Sequence, residues 1–220
     1  MYFKVFKKLL GLVCICIFIS GCATTNTANF KLPMASQITE DAAIGKIYIG
    51  PFVDMRKGGK VDTTIIGTIR GGYGNPLTRI RDEGGADEFV RDQMINAARK
   101  RSILADRKPD TIVIRRNNNA WGIENSDSSG RPILVGIINQ LNVETGWSRG
   151  TIVDVSLDLI NPVTGAVIWK SKLIGQDSSG LGSGIFESST SLKQWLGDTI
   201  EKAVQSSLSS SDFVNVIKKK

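Results

Sequence analysis

"TIVDVSLDLINPVTGAVIWKSKLIG", residues 151–175, decides the fold. From Thr151 to Ile160 the side chains alternate. Val153, Val155, Leu157 and Leu159 fall on one side, and Asp154, Ser156 and Asp158 on the other. A period of two is the mark of a half-buried strand. "NPVTG", Asn161 to Gly165, has the composition of a hairpin connection. The next strand, Ala166 to Gly175, sets Val167, Trp169 and Leu173 on one face and Lys170 and Lys172 on the other. An antiparallel pair with one apolar and one charged face follows, and each aspartate gains a lysine neighbour across the hairpin.

Working outward, "ILVGIINQLNVE", residues 133–144, also alternates, with Val135, Ile137, Leu141 and Val143 on one face and Asn139 among them. "KIYIGPFV", Lys46 to Val53, and "DTIVIR", Asp110 to Arg115, are short, β-branched strand candidates. Two segments follow the 3.6-residue period instead. Val90, Met94, Ala97, Ala98 and Arg101 place a helix from Asp87 to about Ser102, with acids at its start and bases at its end. Leu192, Trp195, Leu196, Ile200, Ala203 and Val204 place a longer one over Leu192–Leu208, with Ser191 and Gln194 fitting a capping box. Phe213, Val216 and Ile217 make a last short amphipathic segment that packs back on the domain. The order predicts an α+β fold in a single domain, a mainly antiparallel sheet with two long helices packed on one face.

Residues 54–85 show no convincing element. Within them "GTIRGGYGNP", Gly67 to Pro76, is glycine-rich but lacks the strand, helix and Gly-Lys-Ser/Thr that a phosphate-binding loop requires. It reads as a surface loop, and Arg70 and Tyr73 make it a candidate partner contact. Trp121, exposed within the polar stretch 117–130, and Trp147 complete that set.

The first eight residues include three lysines, Lys4, Lys7 and Lys8, and an apolar run follows from Leu9 to Ile19 that stops at Ser20-Gly21-Cys22. The run is roughly half of the 20 or so residues a spanning helix needs. A basic start, a short apolar core and small residues at its end make an export signal, residues 1–21. Residues 22–43 read as a flexible tether and 44–220 as the α+β domain.

Composition narrows the chemistry. The net charge is +7, but three lysines leave with the signal and three more are the terminal Lys218 to Lys220, so the body is close to neutral and nucleic acid is not an expected partner. Cys14 and Cys16 also leave with the signal, which removes disulfides from the stability account. The absence of histidine excludes Ser-His-Asp and Cys-His catalysis and HExxH zinc sites. Asp154 and Asp158 are the best remaining acid pair. Four residues apart in a strand, they stand about 13 Å from one another, too far for either class of glycosidase. No catalytic residue, metal or cofactor is expected.

Ile19-Ser20-Gly21-Cys22 resembles the bacterial lipobox, with Ile19 where leucine is commonest. The resemblance implies cleavage before Cys22, lipid on its thiol and, with Ala23 next, the outer membrane rather than the inner. It thereby implies that the tether 22–43 starts at a lipidated N-terminus and that the domain 44–220 is periplasmic. "FVRDQMINAARKR" (89–101), "IINQLNVETG" (137–146), the hairpin, a Gly-rich loop, the long helix and "SDFVNVIKK" (211–219) together resemble the YajG-type bacterial lipoproteins. "IGPFVDMR" (49–56) and "LDLINPVTGAVIWK" (157–170) are similar to elements of lipoproteins that activate penicillin-binding proteins. These resemblances imply a non-enzymatic envelope lipoprotein that binds a protein partner at the membrane or associates with itself. The alternatives are an accessory to a cell-wall synthase or an envelope lipid transporter, and a carboxylate-dependent hydrolase.

Overall fold

A computed structural model describes residues 24–27, 33–59, 61–71, 75–117, 120–125, 130–145, 149–179 and 188–218. Three neighbouring strands carry the architecture: β8 (Ile133–Thr145), β9 (Arg149–Ile160) and β10 (Val167–Ser179) form an antiparallel meander, in register from Ile133↔Ile160 and Ser179↔Arg149. Lys170 lies across from Asp158, as the alternation requires. The other edge of β8 is shared by two strands, both parallel to it. β2 (Gly45–Asp54) takes the first half, Tyr48↔Ile133 to Asp54↔Ile138, and β3 (Ile65–Arg70) the second, Gly67↔Val143 to Ile69↔Thr145. β5 (Ile103–Arg107) extends the sheet beyond β2 in parallel, and β4 (Pro76–Arg81) beyond β3 antiparallel. The sheet is therefore mixed, not mainly antiparallel. Alternation specifies a half-buried strand but not the direction of its neighbour: β3 continues along the edge of β8 that β2 leaves, and β5 reaches its place by a crossover through the helix Gly85–Arg99.

α1 (Gly85–Arg99), α2 (Ser189–Leu208) and the short α3 (Ser211–Lys218) join one core cluster with the sheet. Val153, Val155, Leu157 and Leu159 enter it from β9; Leu192, Leu196, Ile200 and Val204 from α2; Phe213 and Ile217 from α3. The Trp169 ring meets that of Phe213 edge-on at 4.7 Å. Ser188, not Ser191, caps α2: its hydroxyl accepts from the Ser191 backbone N–H at 3.1 Å, and Gln194 instead donates to Asp198 one turn on.

Residues 54–85, expected to lack regular structure, contain β3 and β4. Their signal is masked by Gly67 in the middle of one and Pro76 at the start of the other. Gly67 is required there because a Cβ would collide with Val143 of β8. The polar stretch 117–130 likewise holds a strand. β6 (Val113–Asn117) and β7 (Ala120–Glu124) form a hairpin that covers part of the second face of the sheet, with Ile112 and Trp121 against Ile133, Val135 and Ile160. β8 does not keep one apolar face. Its register shifts between Ile138 and Gln140, so Val135 and Ile137 pack under the hairpin while Leu141 and Val143 join the helix side. Finally, the segment expected as a flexible tether carries β1 (Thr24–Thr27), which pairs in parallel with β4 from Thr24↔Thr78 to Thr27↔Arg81.

Candidate functional site

The charged face of the β9–β10 hairpin carries the acid pair Asp154 and Asp158. Asp154 accepts from Lys172 Nζ at 2.9 Å and from Asn139 Nδ2 at 3.1 Å. Asp158 accepts from Trp121 Nε1 at 2.9 Å, with Lys170 Nζ at 3.7 Å. Each carboxylate is held by its own partners, and the two do not converge on one point. Trp121 is only 8 % exposed. It is a core residue of the hairpin-covered face, not the exposed contact its Asn/Ser-rich surroundings suggest. Its neighbours Ile114 and Ile123 bury the ring while the indole N–H reaches the polar row.

Beyond the hairpin the second face is open. Ile152 and Ile174 are exposed there, Ile174 at 64 %. Beside them Asn142, Glu144, Thr151, Gln176 and Asp177 line a groove of about 300 Å³. Arg70, the sequence candidate at the end of β3, donates to Glu144 Oε1 at 3.1 Å, and Asn142 Nδ2 donates to the same oxygen at 2.8 Å. The Arg70 guanidinium, with Asn142, holds the Glu144 carboxyl below the usual carboxylate range. Lys202, with Trp195 Nε1, does the same for Asp177. Both acids are charged at neutral pH. Tyr73 and Trp147 lie outside the described residues, as do Ile19, Ser20, Gly21 and Cys22.

"IGPFVDMR" has a structural role that the sequence did not disclose. β2 leaves the edge of β8 at Asp54 and β3 joins it near Gly67, so a stretch of β8 between them has no strand beside it. Arg56 fills the gap. Its Nη1 donates to the carbonyls of Ile65 (2.7 Å) and Leu141 (3.1 Å), and its Nε and Nη2 grip both oxygens of Asp54 at 2.7–3.1 Å. The two side chains are 8 % and 6 % exposed. A planar, always-charged fork is the group that can meet carbonyls and a carboxylate at once. A second buried pair, Lys193 with Asp82, ties the start of α2 to the turn before α1. Among the described residues no group of histidine, cysteine, aspartate or glutamate side chains could hold a metal ion, and no helix is long and apolar enough to cross a membrane.

No family model matches the chain, and no curated protein does. Solved structures resemble it in shape. A Xanthomonas campestris protein of the DUF330 family superposes with a TM-score of 0.53 at 7 % identity, covering 88 % of this chain and 97 % of that one. An uncharacterized protein gives a TM-score of 0.48 at 6 % identity, covering 84 % and 96 %. The PelC dodecamer of Paraburkholderia phytofirmans gives 0.42 at 15 % identity, covering 80 % and 92 %. At 7 % identity the first likeness is one of fold: the same α+β architecture occurs in a bacterial protein.

Proposed function

We propose that this chain is a lipid-anchored lipoprotein of the bacterial cell envelope, YajG-like, held at the outer membrane by acyl chains on Cys22 and acting by binding an envelope protein without catalysis. The observation that carries the reading is Ile19-Ser20-Gly21-Cys22 at the end of a short apolar run behind three lysines. Two or more acyl chains make membrane attachment effectively permanent, with no spanning helix needed. The domain supplies a binding surface: an open sheet face with exposed Ile152 and Ile174 beside the groove at Glu144. Ile152 and Ile174 would supply the apolar centre of a protein contact and the polar groove beside them part of its rim.

In-cell photo-crosslinking from Arg70, Ile152 and Ile174 tests it, with Asp212 on α3 as a control on the helix side. One adduct of constant mass from the open-face positions, lost on Ile174→Glu, supports the reading. Equal capture from all positions, or none from any, contradicts it.

A further inference from the structure

We infer that the domain stands on the membrane by the end of the sheet at which β1 begins, with the β9–β10 turn pointing away. This rests on lipidation of Cys22. Thr24 is two residues beyond that cysteine, and two residues span at most about 7 Å. From Thr24 to Thr27 the chain is paired with β4. Further along it is held again: the side-chain amide of Asn96, buried on α1, accepts from the Ala35 N–H and donates to the Pro33 carbonyl. A free linker of the 20 or so residues between the cysteine and β2 would instead wander over a root-mean-square distance of about 25 Å and allow any orientation.

The strand register then fixes which end faces the lipid. β1 begins opposite Thr78, near the start of β4, and so at the end of β3. β3 runs parallel to β8 and closes at Ile69↔Thr145. β8 ends where β9 begins, at Glu144↔Gly150, and β9 begins where β10 ends, at Arg149↔Ser179. Thr24, Pro76, Thr145, Gly150 and Ser178 therefore share one end of the sheet. Val163 and Thr164, in the β9–β10 turn, stand at the other, separated by the 13 residues of β10, about 40 Å at the usual strand rise. The groove at Glu144 opens at the membrane end, which commits the occupant of that end to a lipid bilayer and places any partner of the groove within reach of the headgroups.

Single cysteines test this without further engineering, because Cys14 and Cys16 depart with the signal and the Cys22 thiol is consumed. Pro76→Cys, Ser178→Cys and Thr164→Cys, all at exposed positions, carry a fluorophore in the lipidated full-length protein reconstituted in vesicles with nitroxide-headgroup lipid. The labels at 76 and 178 should lose most of their emission and the label at 164 little. A flexible Gly/Ser insertion of about ten residues after Ala23, roughly 17 Å in reach, should bring the three together. Equal quenching without the insertion overturns the orientation. A protein that carries no acyl mass on Cys22 and does not float with the vesicles overturns the lipid anchor itself, and the orientation with it.

Discussion

The two faces of the sheet are built on opposite terms. One is packed: α1, α2 and α3 cover it with a continuous apolar core, interrupted by a few buried polar pairs such as Lys193 with Asp82 and Thr151 with Thr199. The other is covered only under the β6–β7 hairpin. Beyond that it carries Asp154, Asn139, Lys172, Glu144 and Arg70, bonded among themselves, with two isoleucines exposed. The difference teaches where substitutions are tolerated. Interior packing holds the fold, while polar side chains in water exchange partners at little cost. A face that stands alone without packing against it is free to change its side chains for a partner.

Substitutions should break or sharpen that contrast, beginning with the strand gap. Arg56→Ala leaves Asp54 buried without its cation and withdraws a donor from the carbonyls of Thr63, Ile65 and Leu141, and should cost about 3–5 kcal/mol in urea denaturation. Arg56→Met with Asp54→Leu should recover part of it, since the desolvation cost of the pair goes with the pair. On the helix side, Leu196→Ala removes a fully buried side chain and should cost about 2–5 kcal/mol. A loss under about 1 kcal/mol would mean that α2 is not seated as described. Under the hairpin, Trp121→Phe keeps most of the ring but removes the donor to Asp158, and about 1.5–3 kcal/mol is expected for a bond to a charged group. On the open face, Lys172 is 54 % exposed, so Lys172→Ala should cost no more than about 1 kcal/mol and less in high salt.

The open face also has a pH signature. Glu144 has a lowered pKa in the folded chain because Arg70 and Asn142 donate to its charged form. Its contribution is therefore fully present above the ordinary glutamate pKa of about 4.3 and is lost as pH falls through the folded value. Arg70→Ala should remove that part of the acid sensitivity, read as the difference between stability curves at pH 3 to 6. The effect is small, because both side chains are well exposed.

A different contrast governs how much could be read beforehand. Local periodicity was legible on both faces: β9, β10, α1, α2 and the pairing of Lys170 and Lys172 with the aspartates all follow from periods of 2 and 3.6. What failed depends on contacts between distant segments. β3 and β4 are hidden by Gly67, which is explained only by Val143 lying against it. The face switch in β8 comes from the shift at Asn139, and no run of residue types announces it. The 3.6-residue period carries the helix from Asp87 to about Ser102, but it ends at Arg99: Ser102 adopts φ +57°, and the chain turns there into β5. Trp121 looked exposed because its neighbours in sequence are polar, whereas its neighbours in space are isoleucines. The hairpin charges are where the sequence placed them, whereas Arg70, read as part of a surface loop, is the last residue of β3. The role of Arg56 could have been suspected from a charged pair two residues apart at the end of an apolar strand.

The most direct measurement is the intact mass of the protein extracted from its own membranes with detergent. The account predicts a chain that begins at Cys22 and carries the added mass of a diacylglyceryl group, with a further acyl chain where the host adds one. The Cys22→Ser variant should lack that mass and leave the membrane fraction. A chain beginning elsewhere, or Cys22 recovered as a free thiol, would contradict the lipid anchor.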